Sequence, residues 1–240
     1  MPIVLKATLV TLIVSLGSLL QGAVGFGLGL FSVPFLVLID PRLVPGPILL
    51  ASGVLTLVML RRERHAVLGQ DLKWSLGGRV VGTGVALGVL TLVPLTHLGV
   101  VFGVLILGAV GLSASGWRVA TSPSNLVGAG ALSGFLATTV SIGGPPVALL
   151  YQHAAGPEIR ATLSAFFLVG TVLSLTGLHF IGRFGLSELL LGLGLLPGIA
   201  IGFLLSKRIV GVVDRGLIRP AILTVSAVAA LGVVVKALLP

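Results

Sequence analysis

The sequence predicts an all-α integral membrane protein of two inverted-topology repeats, each with about five helical segments. Its composition supports this fold class: 56% of the 240 residues are hydrophobic and 9% are charged, whereas roughly a quarter of residues are charged in soluble domains. The apolar runs have helix length and lack the short alternation of outer-membrane strands. One broken or re-entrant helix hairpin in each repeat is expected to meet its counterpart near the bilayer midplane.

Ten apolar segments account for most of the chain. They cover residues 4–20, 28–39, 43–60, 74–93, 98–114, 125–140, 145–151, 159–181, 186–206 and 217–239. A helix needs about 20 apolar residues to cross the hydrocarbon core, so the second and seventh segments are too short to span it alone. Each follows a stretch rich in glycine or hydroxyl residues, which is typical of a broken or re-entrant helix.

Weak internal identities indicate that the same unit occurs twice. A shift of 112 places Leu20 on Leu132, Gly22 on Gly134 and Pro34 on Pro146; shifts of 116 and 114 place Pro41 on Pro157 and the pair Gly84/Gly88 on Gly198/Gly202. Glycines four residues apart predict close packing of neighbouring helices, and the alternative is a sliding surface for alternating access. The nearly constant offset predicts a first transmembrane repeat at 1–116, a cytoplasmic linker at 117–124 and a second transmembrane repeat at 125–240.

The basic residues predict how the helices are oriented. Because each repeat has an odd number of segments, the second enters the membrane from the opposite face. If the loop at Arg61 is cytoplasmic, ten basic residues lie inside and four outside, in agreement with the positive-inside rule. The ten are Arg61, Arg62, Arg64, Lys73, Arg118, Arg160, Lys207, Arg208, Arg215 and Arg219, and the four are Lys6, Arg42, Arg183 and Lys236. Both chain ends are then periplasmic or extracellular. Because the basic residues lie between apolar segments and follow this pattern, the net charge of +9 indicates a lipid bilayer as partner and no nucleic acid.

Both breaks contain residues that release the backbone from helical geometry. Residues 21–34 hold four glycines and end at Pro34, while residues 133–146 replace some glycines by hydroxyl residues and end at Pro146. Two opposed half-helices would direct unpaired N–H groups and hydroxyl donors to one point. The natural occupant of such a point is a small anion. The alternative is that glycine and proline only permit kinks and tight packing.

The ionisable residues favour an anion or a neutral solute over a cation. All six acidic residues fall at segment ends or in loops, whereas a carrier of metal or ammonium ions would hold a buried carboxylate. Arg79 lies about five residues inside the fourth segment, where it either snorkels to the headgroups or attracts substrate. His153 follows the second break and is either a gating group or a structural residue. The absence of cysteine excludes disulfides and thiolate metal sites, and no metal or cofactor is expected.

The candidate site therefore consists of the two breaks and the polar residues beside them. The predicted substrate-binding residues are Gln21, Gly25, Phe26, Gly27, Gly29, Ser32, Thr138, Thr139, Ser141, Gly143, Gly144 and Gln152, with Arg79 and His153 as candidate gating or charged residues.

These motifs bring a family resemblance into view. Gly-Phe-Gly-Leu-Gly at 25–29, followed by Val-Pro-Phe-Leu at 33–36 and repeated as Gly-Gly-Pro-Pro at 143–146, resembles the TauE/SafE family of anion exporters. The resemblance covers the whole chain. It implies a carrier in the plasma (inner) membrane, in two homologous halves, for sulfite, sulfonates such as sulfoacetate and other small anions.

The sequence thus predicts a secondary transporter of a small anion that works by alternating access, without enzyme activity. No ATP-binding loop is present, so energy would come from a gradient or a partner. The alternatives are an anion channel and a membrane assembly factor, and the sequence leaves a homodimer open. An intramembrane enzyme is not expected, because no motif fixes His153 as a base next to Ser133 or Ser141.

Overall fold

The computed structural model describes residues 2–93, 98–117, 119–151, 154–213 and 218–238. Within these ranges all regular structure is helical. The ten α-helices are α1 (Ile3–Val24), α2 (Leu28–Ile39), α3 (Gly46–Glu63), α4 (Gly69–Leu92), α5 (Leu98–Ala114), α6 (Pro123–Val140), α7 (Gly144–Ala148), α8 (Gly156–Phe180), α9 (Leu186–Val213) and α10 (Ile218–Leu238). Short 3-10 turns follow α2 at Pro41–Leu43 and α3 at Arg64–Ala66.

The ten predicted segments correspond one to one with the ten helices, so the prediction of an all-α membrane protein is confirmed. Four helices are long and apolar enough to cross a membrane, namely Ile3–Val24, Asp71–Leu92, Gly156–Phe180 and Leu186–Arg208. The two segments predicted to be short are short: α2 has 12 residues and α7 has 5. The protein is therefore a multi-pass membrane protein with a break in front of each short helix.

Helices α1 and α2 form an antiparallel hairpin. Within it, the Ser32 hydroxyl donates to the Ile13 carbonyl at 3.1 Å. At its open end, Lys6 forms an ion pair with Asp40 at 2.6 Å, and Arg42 forms a second at 2.8 Å. The hydrogen bond from Arg42, followed by that from Lys6, holds the pKa of Asp40 well below its usual range. Asp40 is therefore ionised at neutral pH, and its two ion pairs hold this end of the hairpin together.

Two pairs of long helices approach each other through glycine. Helix α4 packs along α6, and α9 packs along α1. The close contacts join Gly78 to the Val127 carbonyl, Gly82 to the Ala131 carbonyl, Gly198 to the Thr11 carbonyl and Gly202 to the Ser15 carbonyl. A Cβ at any of these glycines would collide with backbone, which cannot yield as a side chain can.

The predicted packing of glycine pairs is correct for the pair in α9 and wrong for the pair in α4. Around Gly84 and Gly88, no other described residue has an atom within 4 Å of the position that a Cβ would take. Gly78 and Gly82 make the contact to α6 instead. Glycine spacing identifies a small-residue face, but several such faces exist on α4, and only packing selects one.

Helices α3 and α8 pack against each other and form the middle of the molecule. Each also packs against a long helix of the glycine-mediated pairs, α3 against α9 and α8 against α4. Helices α5 and α10 pack against each other, α10 also against α2, and α5 also against α7. This arrangement places the two breaks next to each other, between α3, α4 and α8.

Candidate functional site

The first break separates α1 from α2 by three residues. Gly25 ends α1 with φ of 102°, and Gly27 precedes α2 with φ of 131°, a conformation that favours glycine. Helix α2 then begins at Leu28, whose N–H donates to Oε1 of the buried Gln21 at 3.3 Å. The next two N–H groups of α2 have no partner within the helix, as in any first helical turn.

The second break separates α6 from α7 and is built differently. Ser141 ends α6 with φ of 59°, a conformation that is uncommon outside glycine, and its hydroxyl donates to the Pro45 carbonyl at 3.0 Å. The buried Ser133 hydroxyl donates to the Gly143 carbonyl at 2.6 Å. Helix α7 begins at Gly144 and continues with two prolines, so it offers fewer backbone donors than α2.

The two breaks lie side by side around a small cavity. Gly29 in the first turn of α2 faces the Ser141 carbonyl so closely that a Cβ would collide with it. The side chain of Phe26 packs over Gly144, 2.8 Å from the position of a Cβ there. The cavity that remains has a volume of about 30 Å³, which is room for about two water molecules.

Arg79 extends from α4 into this cavity. Its side chain is buried, with 1% of the residue exposed, and Nη1 donates to Oγ of Ser133 at 3.1 Å. The guanidinium also lies 5.2 Å from the ring centroid of Phe166, within the range of a cation–π interaction. On its other side it fills the space left by Gly170, where a Cβ would overlap with it. A side chain buried in this way does not snorkel to the headgroups. The attraction of substrate by Arg79 stays a prediction.

Two buried nitrogens of side chains that line the cavity have no hydrogen-bond partner among the described residues. They are Nε of Arg79 and Nε2 of Gln21, and both side chains line the cavity. Buried polar groups are paired in the great majority of cases, and an unpaired one costs about 1–3 kcal/mol. Arg79 and Gln21 therefore each keep a donor that no acceptor of the described chain takes up.

No carboxylate of the described chain forms an ion pair with Arg79. Asp40 pairs with Lys6 and Arg42, Glu63 pairs with Arg62 at 3.1 Å and Arg160 at 3.0 Å, and Glu158 and Glu188 accept from backbone N–H groups that precede α8 and α9. Asp71 lies in the first turn of α4, and Asp214 lies outside the described residues. The charge at the cavity is therefore positive and locally unbalanced.

The structure brings most of the predicted site residues together at this cavity. Those that line it are Gln21, Phe26, Gly27, Gly29, Arg79, Ser141, Gly143 and Gly144. Gln152 and His153 lie outside the described residues.

Four predicted site residues are placed in helix contacts instead. Gly25 packs against the backbone of Arg160, Ser32 bonds within the α1–α2 hairpin, Thr138 pairs with the Ser174 hydroxyl at 2.7 Å, and Thr139 donates to the Phe135 carbonyl at 2.7 Å. The hydroxyl groups of Ser32, Thr138 and Thr139 are thus already paired with protein.

Several residues that line the cavity were not predicted from the sequence. Ser52 of α3 and Thr171 of α8 add two hydroxyl side chains, and Ala137 and Phe167 add apolar surface. A hydroxyl residue inside an apolar segment was a usable signal for Ser52 and Thr171. Ser133, which holds both Arg79 and the second break, could be found only from the packing of α4 on α6.

A multi-pass helical protein with a buried cationic cavity between two broken helices has the architecture of a membrane transporter. The family model described as "Sulfite exporter TauE/SafE" matches residues 10–233. The chain therefore belongs to the TauE/SafE family, a family of transporters, and the resemblance inferred from its glycine and proline motifs is confirmed. No curated protein and no solved structure gives a significant match.

Proposed function

We propose that the protein is a secondary carrier that moves a small oxyanion, either sulfite or an organosulfonate such as sulfoacetate, by alternating access around the two breaks. The observation that carries this proposal is the buried guanidinium of Arg79 at the cavity, without an ion pair to any described carboxylate. Membership of the sulfite exporter family supports the sulfur chemistry.

The electrostatics of the cavity favour an anion. A buried charge without a partner is strongly unfavourable, and arginine stays charged even when it is buried. An entering oxyanion supplies the counter-charge, and its oxygens accept from the guanidinium of Arg79 and from Nε2 of Gln21. The planar guanidinium suits an oxyanion because it can donate two parallel hydrogen bonds. The first turn of α2 adds backbone donors and the positive end of a helix dipole.

The size of the cavity favours the smaller anions. Its volume of about 30 Å³ suits an anion of few atoms. Sulfoacetate is larger, because it carries a carboxylate in addition to its sulfonate. We therefore place sulfite before sulfoacetate as the substrate. An organosulfonate would need the walls formed by Phe26 or Phe167 to move.

Alternating access is supported by matching contacts in the two halves. If α1 is equivalent to α6 with a shift of 116 residues and α4 to α9 with a shift of 120, the contacts of Gly78 and Gly82 on α6 correspond to those of Gly198 and Gly202 on α1. The left-handed residues Gly25 and Ser141 then correspond as well. Such inverted repeats allow one hairpin to adopt the conformation of the other, which opens the site to the opposite side.

Orientation and assembly remain predictions. The ten-to-four distribution of basic residues supports an orientation with both ends periplasmic or extracellular, and the linker at 117–124 would then be cytoplasmic. Membership of the family supports the plasma membrane as its location. A homodimer is compatible with this arrangement.

The experiment that tests the proposed function combines binding and transport. Purified protein is heated with sulfite, sulfate, thiosulfate, sulfoacetate, taurine, acetate or chloride, since a ligand that binds the folded state raises its apparent stability. Sulfite is expected to raise the melting temperature most. In proteoliposomes, sulfite inside the vesicle is expected to accelerate uptake of labelled sulfite, as exchange by a carrier requires.

Arg79→Gln is the decisive variant. It is expected to reduce sulfite exchange by about a hundredfold, because a buried charge partner is lost, and to abolish the stabilisation by sulfite. The empty protein should become more stable, because an unpaired buried charge has been removed. Arg208→Gln, which changes an exposed arginine outside the cavity, is the matched control and should behave as wild type.

Other outcomes would point to other functions. Flux that does not saturate and shows no exchange would indicate an anion channel. Stabilisation by none of the anions, together with unchanged behaviour of Arg79→Gln, would contradict an anion site at this cavity and would favour a membrane assembly factor.

A further inference from the structure

A second cavity lies directly beside the first. It has a volume of about 190 Å³ and is bounded by Val24 at the end of α1, Ser113 near the end of α5 and Ile159 near the start of α8. This is the end of the molecule where Glu63 and Arg160 form their ion pair. The second cavity therefore lies on the side of the first cavity that carries this ion pair.

Two residues line both cavities, Phe26 and Pro145. Proline has a fixed φ and its ring lies in the first turn of α7, so it has little freedom to move. Phe26 has a side chain that can rotate about two torsions. It stands between Gly25 and Gly27, which have no side chains to obstruct this rotation. Of the two shared residues, Phe26 is the one that can clear a passage.

The backbone on either side of Phe26 is anchored, so its side chain is the movable part. Arg62 donates to the Gly22 carbonyl at 3.3 Å and Arg160 to the Ala23 carbonyl at 3.5 Å, which hold the end of α1. On the other side, the bond from Leu28 to Gln21 holds the start of α2. Opposite the ring, Gly144 leaves the room in which the ring lies.

We propose that the side chain of Phe26 is the gate between the two cavities and controls access to Arg79 from the end of the molecule that carries Glu63 and Arg160. The proposal rests on the proposed function in one respect, since it takes the cavity at Arg79 as the substrate site. In the conformation described here the ring separates the two cavities. Rotation of the ring toward the second cavity joins them into one path.

The absence of cysteine makes this proposal testable by thiol accessibility. A single cysteine is introduced in the first cavity by Ser52→Cys, or in the second by Ala148→Cys. Each variant is reacted in membrane vesicles with a methanethiosulfonate that bears a sulfonate group, added from one side at a time. The measured quantity is the rate of modification, which does not require transport.

The gate predicts a specific pattern of rates. Phe26→Ala is expected to accelerate modification of the cysteine in Ser52→Cys about tenfold, because the closed arrangement loses its barrier. The acceleration should occur only for reagent added from the side of Glu63 and Arg160. Phe26→Trp should slow the same reaction. Modification in Ala148→Cys should change less than about twofold in either background, since that cavity lies outside the gate.

Phe31→Ala is the matched control. Phe31 lies on α2, pairs with Phe35 at 5.4 Å between ring centroids, and lines neither cavity. Equal acceleration by Phe31→Ala would mean that loss of any α2 ring loosens the structure, and would overturn the proposal. Unchanged rates with Phe26→Ala, or acceleration from the opposite side, would also overturn it. If Phe26→Ala does not fold, the slower reaction of Phe26→Trp carries the test.

The outcomes separate the gate from the proposed function. If the modification rates do not depend on Phe26 but sulfite exchange is normal, the protein is a carrier and the barrier lies at another residue. If the modification rates change with Phe26 as expected but the protein does not exchange sulfite, Phe26 is a gate and sulfite is not the substrate.

Discussion

The first and second breaks meet at one cavity but contribute to it in different ways. The first break supplies neutral donors: the Nε2 group of Gln21 and the free N–H groups at the start of α2. The second break supplies few donors, because α7 is short and rich in proline. What stands beside it is the charge of Arg79, held by Ser133. The two breaks therefore differ in what lies beside them at the cavity, neutral donors at the first and a charged side chain from α4 at the second.

In the proposed repeat, this difference lies in the side chains and not in the backbone. With the shift of 116 residues proposed above, Gln21 of the first half corresponds to Ala137 of the second, and the glycine cap at Gly25 corresponds to Ser141. The backbone conformation is kept at both positions, while the side chains that face the cavity differ. Substitutions at the two breaks test this difference.

The contact between the two breaks is expected to be the most sensitive point. Gly29→Ala places a Cβ against the carbonyl of Ser141, and backbone on both sides prevents relief. The expected cost is about 3 kcal/mol or more in stability, from overpacking. Thermal unfolding in detergent measures it. Gly84→Ala is the control, because the space around Gly84 is open among the described residues, and it should leave stability unchanged or raise it by up to about 1 kcal/mol. Equal effects of the two changes would contradict the contact.

The donor role of the first break is tested by Gln21→Glu. The carboxylate keeps an acceptor for the Leu28 N–H but removes the Nε2 donor and offers a counter-charge to Arg79. The affinity for sulfite is expected to fall at least about tenfold, since a hydrogen bond to a charged group is worth about 1.5–3 kcal/mol. The empty protein should gain stability as the new ion pair forms. Gln21→Met, which removes the donor without adding charge, should weaken sulfite binding without this gain.

Thermal titration with sulfite measures both changes. A variant Gln21→Glu that binds sulfite as well as wild type would show that Gln21 does not face the anion.

The hydroxyl residues of the second break are expected to matter least for the anion. Thr139→Val removes a hydroxyl that is already bonded to the Phe135 carbonyl and does not line the cavity. Sulfite exchange should remain within about twofold of wild type, and stability should fall by about 1 kcal/mol at most. Initial rates in proteoliposomes measure the first quantity. A loss of exchange would restore Thr139 to the substrate site, as the sequence predicts.

Much of this fold could be predicted because membrane helices are encoded in local composition. The ten helices and the position of both breaks follow from apolar runs interrupted by glycine and proline, although α9 extends to Val213, past the predicted end at residue 206. The identity of the paired glycines could not be predicted, because Gly78/Gly82 and Gly84/Gly88 have the same spacing. Only the neighbouring helix distinguishes them.

The candidate site was predictable in its backbone and less so in its side chains. Glycines at the breaks follow from the conformation that the chain must adopt there. The hydroxyl of Thr139 bonds within its own helix, and no local pattern separates this from a hydroxyl that faces a cavity. The position of Arg79 depended on the packing of α4 against α6 and α8, which is a tertiary property.

We propose that an oxyanion occupies the cavity between Arg79 and Gln21. Selenite, a heavier analogue of sulfite, can be located by anomalous X-ray scattering from crystals of the protein. The predicted result is one peak within about 4 Å of a guanidinium nitrogen of Arg79 and of Nε2 of Gln21, because selenium lies one bond beyond the oxygen that accepts the hydrogen bond. The peak should be lost in Arg79→Gln and displaced by sulfite. A peak elsewhere in a protein that selenite stabilises, with this cavity empty, would contradict the claim.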